Sequence, residues 1–125
     1  MSGLSRIFDK SDSDLAAELK GFPERALALT IQFRDAPSPE LLADAALAVL
    51  EFYLPRQHRR SLAGVLDSER LREELGVDSL ALAEATFKLE ELFGFPVETR
   101  ELTDMNSVGD LRHYLNGKFN ALRPA

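Results

Sequence analysis

The chain has 125 residues, 45% hydrophobic and 29% charged, a balance that suits one soluble domain with a modest core and excludes compositional disorder. It contains no cysteine, which rules out disulfides, thiolate metal sites and a cysteine nucleophile, so thioester chemistry would need a thiol brought in by a cofactor. Net charge is −6, and the acid is uneven: residues 1–60 carry 8 basic and 9 acidic side chains, residues 61–125 carry 7 and 12. Such a surface disfavours nucleic acid and favours partners with basic docking patches. No apolar run approaches the roughly 20 residues needed to span a bilayer. Asp9, Lys10, Asp12 and Asp14 interrupt any N-terminal signal segment, so the expected location is cytoplasmic. His58 and His113 are too far apart in sequence to argue for a metal site or a catalytic pair.

Helix punctuation recurs along the chain, and the expected class is all-α. Ser11 to Asp14 offer caps for a short helix through Leu15, Leu19 and Lys20, ended by Gly21. Pro23 opens a segment from Glu24 to Arg34. There Leu27, Leu29, Ile31 and Phe33 alternate with Ala28, Thr30 and Gln32, the period of a strand. A strand needs a partner and no second one is evident, so helix is preferred and strand kept as the alternative. Ser38 and Pro39 suit a cap and first turn. Leu42, Ala46, Val49, Leu50 and Tyr53 then follow a helical period, predicting a helix over 39–53 that Pro55 stops. Residues 54–77 form a long connection with a basic cluster at Arg56, His58, Arg59 and Arg60, and room for a helical turn at 68–74. Asp78 caps a helix from Ser79 to Phe93, with Ala83, Phe87, Leu89 and Phe93 as apolar positions and Gly94 closing it. One short turn is expected within 99–105. Ser107 caps a last helix from Val108 to Leu115, which Asn116-Gly117 would end.

The informative stretch is Leu75-Gly76-Val77-Asp78-Ser79-Leu80. It puts a serine hydroxyl in the first turn of a helix, where unpaired N–H groups and the helix dipole favour an anion. A phosphodiester on Ser79 would sit in that field, and Asp78 can cap the helix and orient the serine. With its flanks, this stretch resembles the acyl carrier protein family. Upstream, Leu71-Arg72-Glu73-Glu74-Leu75-Gly76 is similar to the family's approach to its serine. Downstream, Glu84 and Leu89-Glu90-Glu91-Leu92-Phe93 resemble its second helix, and Val97, Met105, Val108, Tyr114 and Leu115 match later apolar positions. The resemblance covers about residues 39–118 and is clearest over 67–116.

The resemblance implies an uneven four-helix bundle over 39–118, with residues 1–38 as an N-terminal extension and 119–125 as a tail. It implies that a phosphopantetheinyl transferase moves 4′-phosphopantetheine from coenzyme A to Ser79, with magnesium, and that the arm's thiol carries acyl groups as thioesters. It makes Leu80, Glu84, Glu90 and Glu91 the docking residues for acyl-loading and acyl-processing enzymes. Ser79 is then an acceptor of a prosthetic group, and the chain is not an enzyme. A nucleophile elbow, a His-Glu-x-x-His motif and a phosphate loop are absent from the sequence. The chain stops soon after one carrier unit, which predicts action on separate enzymes of fatty-acid, polyketide or related metabolism.

Other readings stand beside this one. Ser79 alone could be a plain helix-start serine, and the three glutamates a solvated face. An unmodified helical adaptor and an aminoacyl or peptidyl carrier are the alternative functions, the latter disfavoured by the lack of a double-glycine approach to the serine. Ala81 and Lys88 depart from the usual acidic face. Phe87, Leu89, Phe93, Val97, Met105 and Val108 are read first as core. The extension carries too many apolar residues to leave in water, so it is expected to pack on the helix at 39–53 or, through a strand, on a second copy of the chain in a homodimer.

Overall fold

The protein, described over residues 6–122 by a computed structural model, is built from α-helices: α1 (Asp12–Glu18), α2 (Glu24–Asp35), α3 (Pro39–Glu51), α4 (Ser79–Phe93), α5 (Thr99–Leu102) and α6 (Val108–Ala121). Short 3₁₀ turns lie at Arg6–Asp9 and Arg56–His58. Among the described residues there is no strand beyond one isolated bridge, Arg70 with Ser107, and no helix long and apolar enough to cross a membrane. Local chemistry sets the helix starts. Ser11 and Asp14 exchange side-chain and backbone hydrogen bonds at 3.0 Å, and Ser107 and Asp110 do so at 3.1 Å. Ser38 accepts from the Leu41 N–H at 3.1 Å.

α3 is the central element, packed against α2, α4 and α6. That explains a helix apolar on more than one face: Leu42, Ala45, Ala46, Leu47, Ala48, Val49 and Leu50 are all buried. Its last residue, Glu51, is also buried. The carboxylate accepts from Arg25 of α2 at 2.8 Å and from the Leu62 N–H at 2.7 Å, which anchors the long connection that follows. α3, α4, α5 and α6 make the uneven four-helix arrangement, with α5 a single turn.

The alternating segment is a helix. Ala26, Thr30 and Phe33 form its buried stripe, while Leu27, Leu29 and Ile31 are half-buried on both flanks. A wide apolar arc on a helix reads as alternation when every flanking position is apolar. The strand alternative, and the cross-copy pairing a strand would have required, therefore do not arise. Phe33 is fully buried and meets Phe93 of α4 edge-on at 5.2 Å and Phe119 of α6 at 6.1 Å. Lys10 donates to the carbonyls of Glu91 (2.6 Å) and Leu92 (3.1 Å) at the end of α4, a cation at the negative end of a helix.

Three expectations need correction. α6 does not stop at Asn116-Gly117 but runs to Ala121. A glycine inside a helix costs about 1 kcal/mol against alanine, and the contact of Phe119 with Phe33 and the burial of Leu122 draw the chain on. Residues 68–74 form hydrogen-bonded turns and no helix, with the Glu74 and Leu75 N–H groups sharing the Arg70 carbonyl. The helix expected over 39–53 ends at Glu51, and a turn carries Tyr53 and Leu54 back onto it. The first and last residues, 1–5 and 123–125, lie outside the described ones, with most of the expected tail before them folded into α6 and Leu122.

Because Phe33 joins the extension to α4 and α6, Phe33→Ala is expected to cost about 3–5 kcal/mol, the range for a large-to-small change in a packed aromatic core. Urea unfolding of the variant measures it; a loss below about 1 kcal/mol would show a loosely attached segment.

Candidate functional site

The start of α4 is positioned by the loop before it. Leu71, Leu75 and Val77 are buried and pin the loop to the core. The Val77 N–H donates to the Leu71 carbonyl at 2.7 Å. Main-chain bonds tie the loop to the beginning of α6: Leu71 N–H to the Asn106 carbonyl, Val108 N–H to that of Glu69, and Gly109 N–H to that of Asp67, each at 2.9 Å. Gly76 lets the chain turn into the helix. Its φ is +74°, and a Cβ there would stand 2.7 Å from the His58 ring, so the position excludes side chains on two counts.

Asp78 caps α4 by accepting from the Ala81 N–H at 2.9 Å. Ser79 is the first helical residue and is exposed. Its hydroxyl accepts a hydrogen bond from the Arg72 guanidinium at 2.9 Å. A cavity of about 200 Å³ opens beside it. The floor is apolar, from Leu71, Val77, Leu82 and Met105, and the rim carries Thr99, Thr103 and Asn106. The far wall is braced where Glu101 accepts from Tyr114 (3.1 Å) and Lys118 (3.2 Å). The Glu98 N–H, then Lys118 and Tyr114, hold the Glu101 carboxyl below its usual range. Burial, then Glu101, pushes the Tyr114 hydroxyl up, so it remains a donor at all ordinary pH.

Residues 60–115 match a protein family described as phosphopantetheine attachment site. This stretch is a carrier domain of the acyl carrier protein type. The group such a domain holds is 4′-phosphopantetheine, bound covalently. The matched part of the carrier spans the loop, α4, α5 and the first half of α6; α1 to α3 precede it. No solved structure matches the chain. The residues present fit the group: an exposed hydroxyl at a helix start, a guanidinium on that hydroxyl, and a cavity beside it.

The docking residues implied by the sequence divide into two sets. Leu80, Glu84 and Glu91 are exposed and, at helical spacing, share the outer face of α4. Glu91 also lies 3.7 Å from Lys88. Glu90 is half-buried and on the flank toward α6, where its charge bears on Tyr114. Phe87, expected in the core, is 47% exposed, because helical spacing puts it on the outward face with Leu80, Glu84 and Glu91. Beside it a groove is lined by Tyr53, Glu84, Lys88 and Glu91. Burial, then Glu84 and Glu91, pushes the Tyr53 hydroxyl up. Phe22 of the extension stacks on Phe52 at 4.2 Å and lies under the Lys88 ammonium at 5.4 Å. Sequence reasoning missed Arg72. The signal available was a lone cation within the acidic approach to Ser79.

Gly76→Ala is expected to cost about 1–3 kcal/mol, from the left-handed φ and the clash with His58. Adding His58→Ala should return the steric part and leave the backbone part. Chemical denaturation of both variants checks this; equal stability of Gly76→Ala and wild type would refute the strained entry to α4.

Proposed function

We propose that Ser79 is the attachment point of the phosphopantetheine arm and that the chain is an acyl carrier. The observation that carries the reading is the exposed Ser79 hydroxyl opening α4 within the matched carrier stretch. When bound, the arm supplies the thiol that this cysteine-free chain lacks, and so the thioester that holds the cargo. The chain's own residues present the hydroxyl, cap the helix through Asp78 and leave a cavity within reach. The cavity of about 200 Å³ has both apolar and polar walls and lies beside the hydroxyl where a bound group would start. The cargo in this reading is an acyl group of fatty-acid, polyketide or related metabolism, and the lack of a double-glycine approach to Ser79 stands against an aminoacyl carrier. Residues 39–118 act as the carrier unit, the preceding segment bracing α3, α4 and α6. No side chain of the site has a catalytic task; loading and processing belong to the partner enzymes.

Those partners include the phosphopantetheinyl transferase that installs the arm. Leu80, Glu84, Phe87 and Glu91 form the face they meet, with acid to steer a basic patch and two apolar side chains to hold it. Glu90, half-buried and off that face, lies outside the docking set in this reading.

Intact mass spectrometry tests the attachment. With coenzyme A, magnesium and a broad-specificity transferase, the wild type should gain one phosphopantetheine. Ser79→Ala should gain none while melting close to the wild type. Modification of the alanine variant, or none of the wild type with several transferases, defeats the proposal and favours an unmodified adaptor. The docking face has its own test. Glu84→Lys and Glu91→Lys together should slow modification by about tenfold at low salt, and the loss should shrink as salt rises. Glu90→Lys should instead lower the melting temperature with little effect on rate. Equal rates for all three charge reversals would remove the docking assignment.

A further inference from the structure

The loop before α4 carries several carboxylates, and two of its arginines are paired with them. Arg60 pairs with Glu69 at 3.5 Å and Arg70 with Glu73 at 3.6 Å, while Arg112 of α6 takes Asp67 at 2.8 Å. Arg72 differs. Among the described residues it makes no ion pair, and its guanidinium donates to the Ser79 hydroxyl instead. The charge of Arg72 also bears on Glu73, but its hydrogen bond goes to the Ser79 hydroxyl, which sets a guanidinium directly beside that oxygen. The loop geometry makes the reach possible. The Gly76 N–H donates to the Arg72 carbonyl at 3.2 Å, closing a turn that folds residue 72 back toward the start of α4.

We propose that Arg72 is the positioning residue for the arm, holding the anionic phosphodiester formed on Ser79. The inference rests on the reading of Ser79 as the attachment point. In the attachment step the Ser79 oxygen loses its proton and bonds to the phosphorus of the phosphopantetheine moiety of coenzyme A. The bond from that phosphorus to the nucleotide phosphate breaks, and the nucleotide leaves with the electron pair. The oxygen Arg72 now touches becomes the ester oxygen, and the charged oxygens of the new group lie one bond beyond it. Guanidinium and phosphate match in charge and in fork geometry, which a lysine ammonium reproduces only as a point charge. The first turn of α4 adds to this field: its N–H groups lack acceptors within the helix, and the Asp78 side chain takes that of Ala81. Holding the phosphate fixes where the arm departs, beside the cavity that Arg72 and Ser79 both line.

The experiment compares apo and modified forms of the wild type, Arg72→Met, Arg72→Lys and, as a control, Arg70→Met. Intact mass first establishes modification; failure there, in the wild type, ends the Ser79 reading itself and not the role of Arg72. In modified protein at low salt, the wild type should melt about 1–4 °C above its apo form, the size of one exposed charge-assisted contact in a chain of this length. Arg72→Met should lose that gap, Arg72→Lys should keep part of it, and Arg70→Met should keep it whole. The gap should close in high salt. The phosphorus NMR line of the arm should be broader in the wild type than in Arg72→Met, because the clamp ties the phosphate to the tumbling of the domain. A wild type without a gap, or an Arg72→Met variant with the same gap and the same line width, would overturn the proposal.

Discussion

Main-chain hydrogen bonds between residues 67–71 and the first turn of α6 hold the carrier site together. They join segments nearly forty residues apart, and everything about Ser79 follows from them. With Leu71, Leu75 and Val77 buried, the loop has nowhere to go but into the left-handed turn at Gly76, and α4 begins where Asp78 can cap it. The hydroxyl is left exposed because the backbone beneath it is fixed. The structure therefore combines an accessible side chain with a backbone anchored on both sides of it.

The N-terminal segment acts on the same helix from the other end. Lys10 caps the last carbonyls of α4, and Phe33 packs against Phe93 near its end. α4 is thus held at its start by the loop and α6, and at its finish by the extension. Between them its outer face stays free, with Leu80 67% exposed and Phe87 not far behind. Phe22, Phe52 and Tyr53 extend an aromatic surface next to that face.

Charge is also divided by position. The carboxylates of Asp78, Asp110 and Glu101 are spent on backbone N–H groups and stabilise helix starts and the α5–α6 contact. Glu51 is spent on Arg25 and Leu62 inside the fold. Glu84 and Glu91 remain on the outer face. Net acidity alone does not distinguish these uses; the hydrogen-bond partners do.

Much of the fold and the centre of the site was legible in the sequence, because both are written in local chemistry. Ser11, Ser38, Asp78 and Ser107 cap by reaching a backbone N–H three residues on, Gly94 closes α4 in a left-handed conformation, and the flanks of Ser79 carry the carrier signature. These depend on near neighbours in the chain, so spacing reveals them. What tertiary structure decided depended on distant neighbours. The alternation at 27–33 became a helix because its stripe at Ala26, Thr30 and Phe33 found α3, α4 and α6 to pack on. α6 passed Gly117 because Phe119 found Phe33. Phe87 stayed outside because α4 turns its face with Leu80, Glu84 and Glu91 away from the core. Glu90 and Glu91, adjacent in sequence, went to different faces, one toward Tyr114 and one toward solvent. Arg72 reached Ser79 through a turn closed at Gly76, a geometry set by the φ of one residue and by a loop tied to another helix, which no pattern of residue types states.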